Sequence, residues 1–265
     1  MTSDVKNLDR LLRVLLAERP EYSRISIPDG IDEKRYLLRS LMNVRPPSPL
    51  PEDIMAIQDD ELAWQREKKG VVALASIPAS PLYPHLRLWQ GDITRLSVDA
   101  IVNAANSQML GCFIPHHRCI DNAIHSAAGM ELREECARIM RQQGHDEPTG
   151  KAKITRGYNL PACWVIHTVG PIIYTGYPDD NDCRLLADCY RNCLTLADEK
   201  RLRSIAFCCI STGEFHFPPD KAAGIAVATV LDYLRSYTTS SIDSVVFNVF
   251  KDSDYEIYKK LLGYE

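Results

Sequence analysis

Cys112, His117 and Cys119 are spaced C-x4-H-x-C within Gly111-Cys-Phe-Ile-Pro-His-His-Arg-Cys-Ile-Asp-Asn122. Thiolate and imidazole are zinc ligands, and spacing this tight brings three of them onto one ion with little backbone strain. Three protein ligands on a tetrahedral ion leave one position open, the arrangement of a catalytic rather than a structural site. Other readings of the same residues stand beside this one. His116 offers a second imidazole, Cys112 and Cys119 could close a disulfide, and buried cysteines also serve as small apolar fillers.

A loop of this kind has to be delivered by regular structure. In Asp99-Ala-Ile-Val-Asn-Ala-Ala-Asn106 the apolar run Ala100, Ile101 and Val102 predicts a strand buried on both faces. It ends in Asn103 and Asn106, amides that each offer two donors and an acceptor where strand gives way to loop. Ligands of open α/β sheets sit outside the carboxyl ends of the strands, so this end is a candidate binding rim. Asp121 stands two residues beyond Cys119, where a helix begins and its dipole favours the ionised carboxylate. Two more predicted strand ends carry polar chemistry. Gly91-Asp92-Ile93-Thr94 presents a carboxylate able to accept from an exocyclic amine or to cap a turn. Ser211-Thr-Gly-Glu-Phe215 can aim successive N–H groups at an anion, as a phosphate cradle does, or make an ordinary turn.

With 265 residues, 45% of them hydrophobic and 25% charged, the chain suits one large domain with an appendage. A net charge of −4, with no block of five or more Lys or Arg, argues against a broad nucleic-acid footprint. No apolar run approaches the ~18 residues that span a membrane. Met1-Thr-Ser-Asp-Val-Lys6 lacks the basic-then-apolar order of a secretory leader. Nine cysteines, an odd count without framework spacing, fit free thiols in a reducing compartment, so a cytoplasmic location and a metal-bound loop are expected over a disulfide.

Residues 1–74 read as a helical N-terminal extension. Val5, Leu8, Leu12 and Leu15 share one helical face, and Arg19-Pro20 closes that helix. A second helix is predicted over about 32–43 with Leu37, Leu38, Leu41 and Met42 as its stripe. After a Pro-rich connector, a third opens at Pro51. No chemical motif stands out there, and a packing lid or docking appendage is expected. Residues 75–265 alternate strands (86–90, 100–103, 152–156, 164–169, 204–210, 244–250) with helices (about 122–128, 130–143, 182–200, 220–237, 254–262). That order predicts an α/β fold with a mixed, mostly parallel sheet flanked by helices on both faces.

Five segments in this order resemble the macrodomain family, the ADP-ribose-binding α/β fold. They are Gly91-Asp-Ile-Thr94, Val102-Asn-Ala-Ala-Asn106, Asp121-Asn-Ala-Ile-His-Ser-Ala-Ala-Gly129, His167-Thr-Val-Gly-Pro171 and Ser211-Thr-Gly-Glu-Phe215. Many macrodomains carry a glycine run where this chain has Gly111 and then Cys112 to Cys119. The departure is similar to the zinc-containing macrodomains, whose loop reads C-x-x-P-x-H-x-C-x-D-N. That likeness selects His117 over His116 and implies Zn2+ on Cys112, His117 and Cys119. It implies further that Asp92 holds the adenine amine, that Ile93 meets the ring through its backbone, and that Ser211, Thr212, Gly213, Glu214 and Phe215 wrap the diphosphate, with Phe215 against the distal ribose. Asn106 and Asp121 match the polar pair that holds and activates that ribose, and Asn103 braces the strand end at the same rim. The activity so implied is zinc-dependent hydrolysis of mono-ADP-ribose from acidic side chains. The alternatives are a reader that binds ADP-ribose without turnover and a deacetylase of O-acetyl-ADP-ribose. A lipoyl-carrier protein modified by a sirtuin-type transferase is the implied substrate.

Overall fold

The computed structural model describes residues 5–174 and 176–264. Met1 to Asp4, part of the stretch read for a leader, and Glu265, the end of the second unit, lie outside them. Among the described residues no helix is long and apolar enough to cross a membrane.

The chain opens with three helices, α1 (Val5–Ala17), α2 (Ile31–Val44) and α3 (Glu52–Lys69). Leu8, Leu11, Leu12 and Leu15 of α1 meet Leu38, Leu41 and Met42 of α2 and Ile54, Ile57 and Leu62 of α3 in a small second core, which Met130 joins from the α/β unit. The α1 stripe differs from the expected one. Leu11 is buried, whereas Val5, the first residue of α1, is 44% exposed. Pro51 stands just before α3 as its N-cap residue, with Glu52 and Asp53 in the first turn against the helix dipole.

A two-residue strand β1 (Val72–Ala73) pairs with β3 (Leu96–Ser97) beside the main sheet. That sheet is built from β2 (Leu86–Gln90), β4 (Ala100–Ala104), β5 (Ala152–Arg156), β6 (Trp164–Thr168), β7 (Ser204–Phe207) and β8 (Ser244–Val249). Its order is β2-β8-β7-β4-β6-β5, and every pairing is parallel except β5 with β6. The helices α4 (Ile120–Ala128), α5 (Met130–Gln143), α6 (Asp180–Glu199), α7 (Pro219–Ser236) and α8 (Asp252–Leu262) cover it on both faces. Strands β4, β7 and β8 are buried along nearly their whole length, as a sheet with both faces covered requires.

The expected strand over 204–210 stops at Phe207, where its ladder with β8 ends at Phe207↔Phe247. Cys208, Cys209 and Ile210 leave the ladder to start the loop that follows. The expected helix over 122–128 begins earlier, at Ile120, because the Cys119 sulfur accepts from the Asn122 N–H at 3.4 Å and caps it.

Candidate active site

Three loops leave the carboxyl ends of neighbouring strands. The segment after β4 carries Cys112 to Asp121, the segment after β7 carries Ser211 to Phe217, and Gly91-Asp92 follows β2 at the far side of β8. The parallel order of β2, β8, β7 and β4 is what places all three on one edge of the sheet.

Asn103 lies within β4, fully buried, and its Nδ2 donates to Asp121 Oδ1 at 2.8 Å. The same nitrogen lies 3.1 Å from His167 Nδ1 on β6, while Asn103 Oδ1 is buried without a partner. His167 Nε2 in turn reaches Thr155 Oγ1 at 2.9 Å. Asp121 is buried, and burial pushes its carboxyl up to about 6 against the opposing pull of Asn103 and the Arg133 charge. Desolvation thus opposes the helix dipole and makes this carboxyl easier to protonate than a free one. His125 Nε2 lies 3.5 Å from Asp121 Oδ1, one helical turn along α4. Burial lowers its pKa well below the usual histidine value. His125, Cys136 and His167 converge in the same buried region, where His167 meets Asn103 and Thr155 while both ring nitrogens of His125 are without a hydrogen-bond partner.

Asn106 stands at the start of the loop that follows β4. Its Oδ1 accepts from the Gln108 and Met109 N–H groups at 3.1 Å, and its Nδ2 donates to the Gly111 carbonyl at 3.3 Å. It shapes the entry to the loop, and it is Asn103 that is bonded to Asp121. Gly111 needs its missing Cβ twice over, with φ at +80° and the His125 ring packed where a Cβ would stand.

The metal-type side chains do converge. One ligand atom each from Cys112, His117 and Cys119 lies within 4.8 Å of the others, and all three residues are partly exposed. Zn–S of about 2.3 Å and Zn–N of about 2.0 Å set tetrahedral ligand atoms roughly 3.5–4 Å apart, so a small contraction would close the shell. His117 Nδ1 is buried with no hydrogen-bond partner, an arrangement that is costly unless something fills it. Burial, with Cys112 adding to it, pushes the Cys119 thiol up to about 12, so a cation beside that sulfur would favour its thiolate. Both cysteines are free. The donor set therefore fits zinc. His116 stands outside the triad, stacked on Tyr36.

The loop after β7 turns sharply. Ser211 has φ +64° and His216 has φ +58°. Thr212 Oγ1 donates to the Cys209 carbonyl at 3.1 Å, His216 N–H to Gly213 at 3.1 Å and Phe217 N–H to Ser211 at 2.9 Å. Among the described residues the N–H groups of Gly213, Glu214 and Phe215 donate to no backbone carbonyl. Around Gly213 nothing stands within 4 Å of where a Cβ would be. Phe215 offers its carbonyl to the Ile173 N–H at 2.8 Å, which ties this loop to the segment after β6. Glu214 Oε1 reaches to 3.8 Å from His117 Nε2, joining the anion loop to the metal-type loop.

Asp92 Oδ1 accepts from Thr94 N–H at 3.0 Å and from its hydroxyl at 2.7 Å, capping the turn that buries Ile93. Its other oxygen, Oδ2, lies 3.6 Å from Lys69 Nζ at the end of α3. Phe250, 76% exposed, emerges from the end of β8 beside Gly91, whose N–H bonds to Val249.

Comparison with known proteins agrees with this arrangement. A family profile described as Macro domain matches residues 102–226. A protein-ADP-ribose hydrolase of Treponema medium is 52% identical over 96% of this chain and 97% of its own length. One from Staphylococcus aureus is 47% identical over 98% and 96%. Among solved structures, the Trypanosoma brucei macrodomain in complex with ADP-ribose is 31% identical with a TM-score of 0.65, covering 85% of this chain and 95% of that one. On sequence over its full length and on fold, this chain belongs to the macro domain family.

Proposed function

We propose that this chain is a zinc-dependent protein-ADP-ribose hydrolase that frees mono-ADP-ribose from acidic side chains. The observation that carries the reading is the junction of two loops. The anion-type turn at Ser211 to Phe215 and the Cys112, His117, Cys119 triad meet at the Glu214–His117 contact of 3.8 Å. A diphosphate on the first therefore presents its distal ribose to the second. Full-length relatives that carry the hydrolase name support the same reading.

Cys112, His117 and Cys119 would hold the zinc. When bound there, it supplies Lewis acidity at an open coordination position. The protein's own groups do the rest. The N–H groups of Gly213, Glu214 and Phe215 bind the diphosphate, Phe215 covers the ribose and Asp92 receives the adenine amine through Oδ2. Asn103 holds Asp121 by Oδ1, which leaves Oδ2 as the basic oxygen. A carboxyl with its pKa near 6 is matched to taking a proton near neutral pH. Water attacks C1″ of the distal ribose and the bond from C1″ to the ester oxygen breaks. The side-chain carboxylate leaves with the bonding pair, and the proton from water passes to Asp121 Oδ2. The products are ADP-ribose and the unmodified acidic side chain.

A lipoyl-carrier protein modified by a sirtuin-type transferase is the substrate we propose. The setting we propose is the reducing cytoplasm, which an odd number of cysteines, all free, supports. Incubation with a protein mono-ADP-ribosylated on carboxylates, with and without chelator, tests the reading. Release of ADP-ribose that the chelator abolishes and zinc restores is expected. Tight binding without release would leave a reader, and release indifferent to chelator would remove the metal.

A further inference from the structure

The loop that carries the triad has little support of its own. Between Gly111 and Cys119, among the described residues, its internal backbone bonding is the His117 N–H on the Ile114 carbonyl at 3.2 Å. Two of its residues hold positive φ, Gly111 at +80° and His116 at +55°. Such a segment has no reason to keep Cys112, His117 and Cys119 together before an ion arrives.

The Arg133 guanidinium of α5 lies 4.3 Å from the Phe113 ring centroid and the Asn106 amide holds the Gly111 carbonyl, and around His116 the support comes from α2, in the helical extension. The His116 ring stacks on Tyr36 with centroids 3.6 Å apart and planes 7° from parallel. Its Nε2 lies 2.7 Å from Ser40 Oγ and 3.1 Å from the Tyr36 carbonyl. Its backbone N–H donates to Asn43 Oδ1 at 3.0 Å. Tyr36, Ser40 and Asn43 stand at i, i+4 and i+7, one continuous face of the helix. Arg39 on the same face donates to Asn122 Oδ1 at 3.0 Å, and Asn122 donates to the Ile114 carbonyl at 2.9 Å. The opposite side of α2 is spent on the small core with α1 and α3. The helix thus has one apolar face that fixes it and one polar, aromatic face that grips the loop on both sides of His116.

We infer that His116 is the positioning residue of the metal loop, and that the N-terminal extension presets the metal site through it. The inference rests on the reading that Cys112, His117 and Cys119 hold zinc. The imidazole next to the ligand His117 is occupied by the extension and points away from the triad. It fixes a left-handed residue, and with it the directions in which Cys112 and Cys119 leave the loop. Preorganised ligands bind an ion without first paying to order the chain, as outer partners of metal ligands do.

Three full-length variants test this. His116→Asn keeps a residue that tolerates positive φ but removes the ring. Tyr36→Ala removes the stack, and Tyr36→Phe retains it. Zinc affinity is measured by competition with a chromophoric chelator, alongside the melting temperature and ADP-ribose affinity of each metal-free protein. His116→Asn and Tyr36→Ala should lose about tenfold or more in zinc affinity, as expected for partners outside the ligands. Tyr36→Phe should match the parent protein, and metal-free melting and ADP-ribose binding should be unchanged in all three. Parental zinc affinity in both His116→Asn and Tyr36→Ala overturns the inference while leaving the zinc reading intact. Zinc loss that merely follows a lowered metal-free melting temperature, and occurs equally in Tyr36→Phe, overturns it also. A parent protein that takes up no zinc overturns the zinc reading, and this inference with it.

Discussion

Asn103 on β4 donates its side-chain amide to Asp121 Oδ1 at 2.8 Å, across 18 residues of chain and with both side chains buried. A carboxylate taken out of water needs such a donor to keep its place, and this one also decides which oxygen remains for substrate. Asn103→Ala should lower kcat by about 10–10²-fold with little change in KM. It should also cost about 1–3 kcal/mol of stability, the penalty of leaving a buried acceptor without its partner. Steady-state kinetics and a denaturant melt on one preparation check both numbers. A stability loss with unchanged kcat would reduce Asn103 to a structural brace.

The metal set gives a stoichiometric prediction. Purified protein should carry about one zinc, and Cys112→Ala and Cys119→Ala should each lose it, since each removes one of the three converging ligands. Elemental analysis decides. Full retention in both variants would remove the site.

Asp92 combines two roles, and they separate in one experiment. Its Oδ1 caps the turn over Ile93, so Asp92→Ala should cost about 0.5–2 kcal/mol of stability. Its second oxygen is the proposed adenine contact, so ADP-ribose binding should weaken by about 1.5–3 kcal/mol, the worth of a charge-assisted bond. Calorimetric titration of the folded variant with unchanged affinity would leave Asp92 as a cap alone.

Gly170 reports on the anion loop. A Cβ there would collide with the Ser211 hydroxyl and with Ile210, both at the mouth of the turn. Gly170→Ala should push Ser211 toward the ligand and weaken ADP-ribose binding by about tenfold, equivalent to about 1.4 kcal/mol, while metal content stays at the parental value. Equal affinity in parent and variant would show that the turn absorbs the shift.

Much of the frame was legible because it depends on short-range pattern. The apolar run at Ala100 to Val102, the polar ends at Asn103 and Asp92, and the tight Cys–His–Cys spacing each report a strand end or a convergence that few residues determine. Pairings across the chain were not legible. Asn103 and Asn106 are both amides at the end of the same strand, one within it and one beyond it, and only the direction in which α4 returns brings Asp121 to the first of them. The rise of the Asp121 carboxyl to about 6 was not legible either, because the helix dipole is local and visible whereas burial is collective. The polar face of α2 was present in the sequence as Tyr36, Ser40 and Asn43, yet nothing in its spacing says what it touches.

The central claim is that Asp121 takes part in bond cleavage at a site held together by Asn103 and the metal-type loop. Turnover of a protein mono-ADP-ribosylated on carboxylates, measured for Asp121→Asn beside its melting temperature and ADP-ribose affinity, tests it most directly. This variant keeps the shape of the side chain and an acceptor for Asn103 but removes the basic oxygen. The expected result is an intact fold, ADP-ribose affinity close to the parent, and turnover reduced by roughly 10²–10⁴-fold, the contribution of a positioned acid or base. Normal turnover per folded molecule would contradict the account and return Asp121 to the ordinary first turn of a helix.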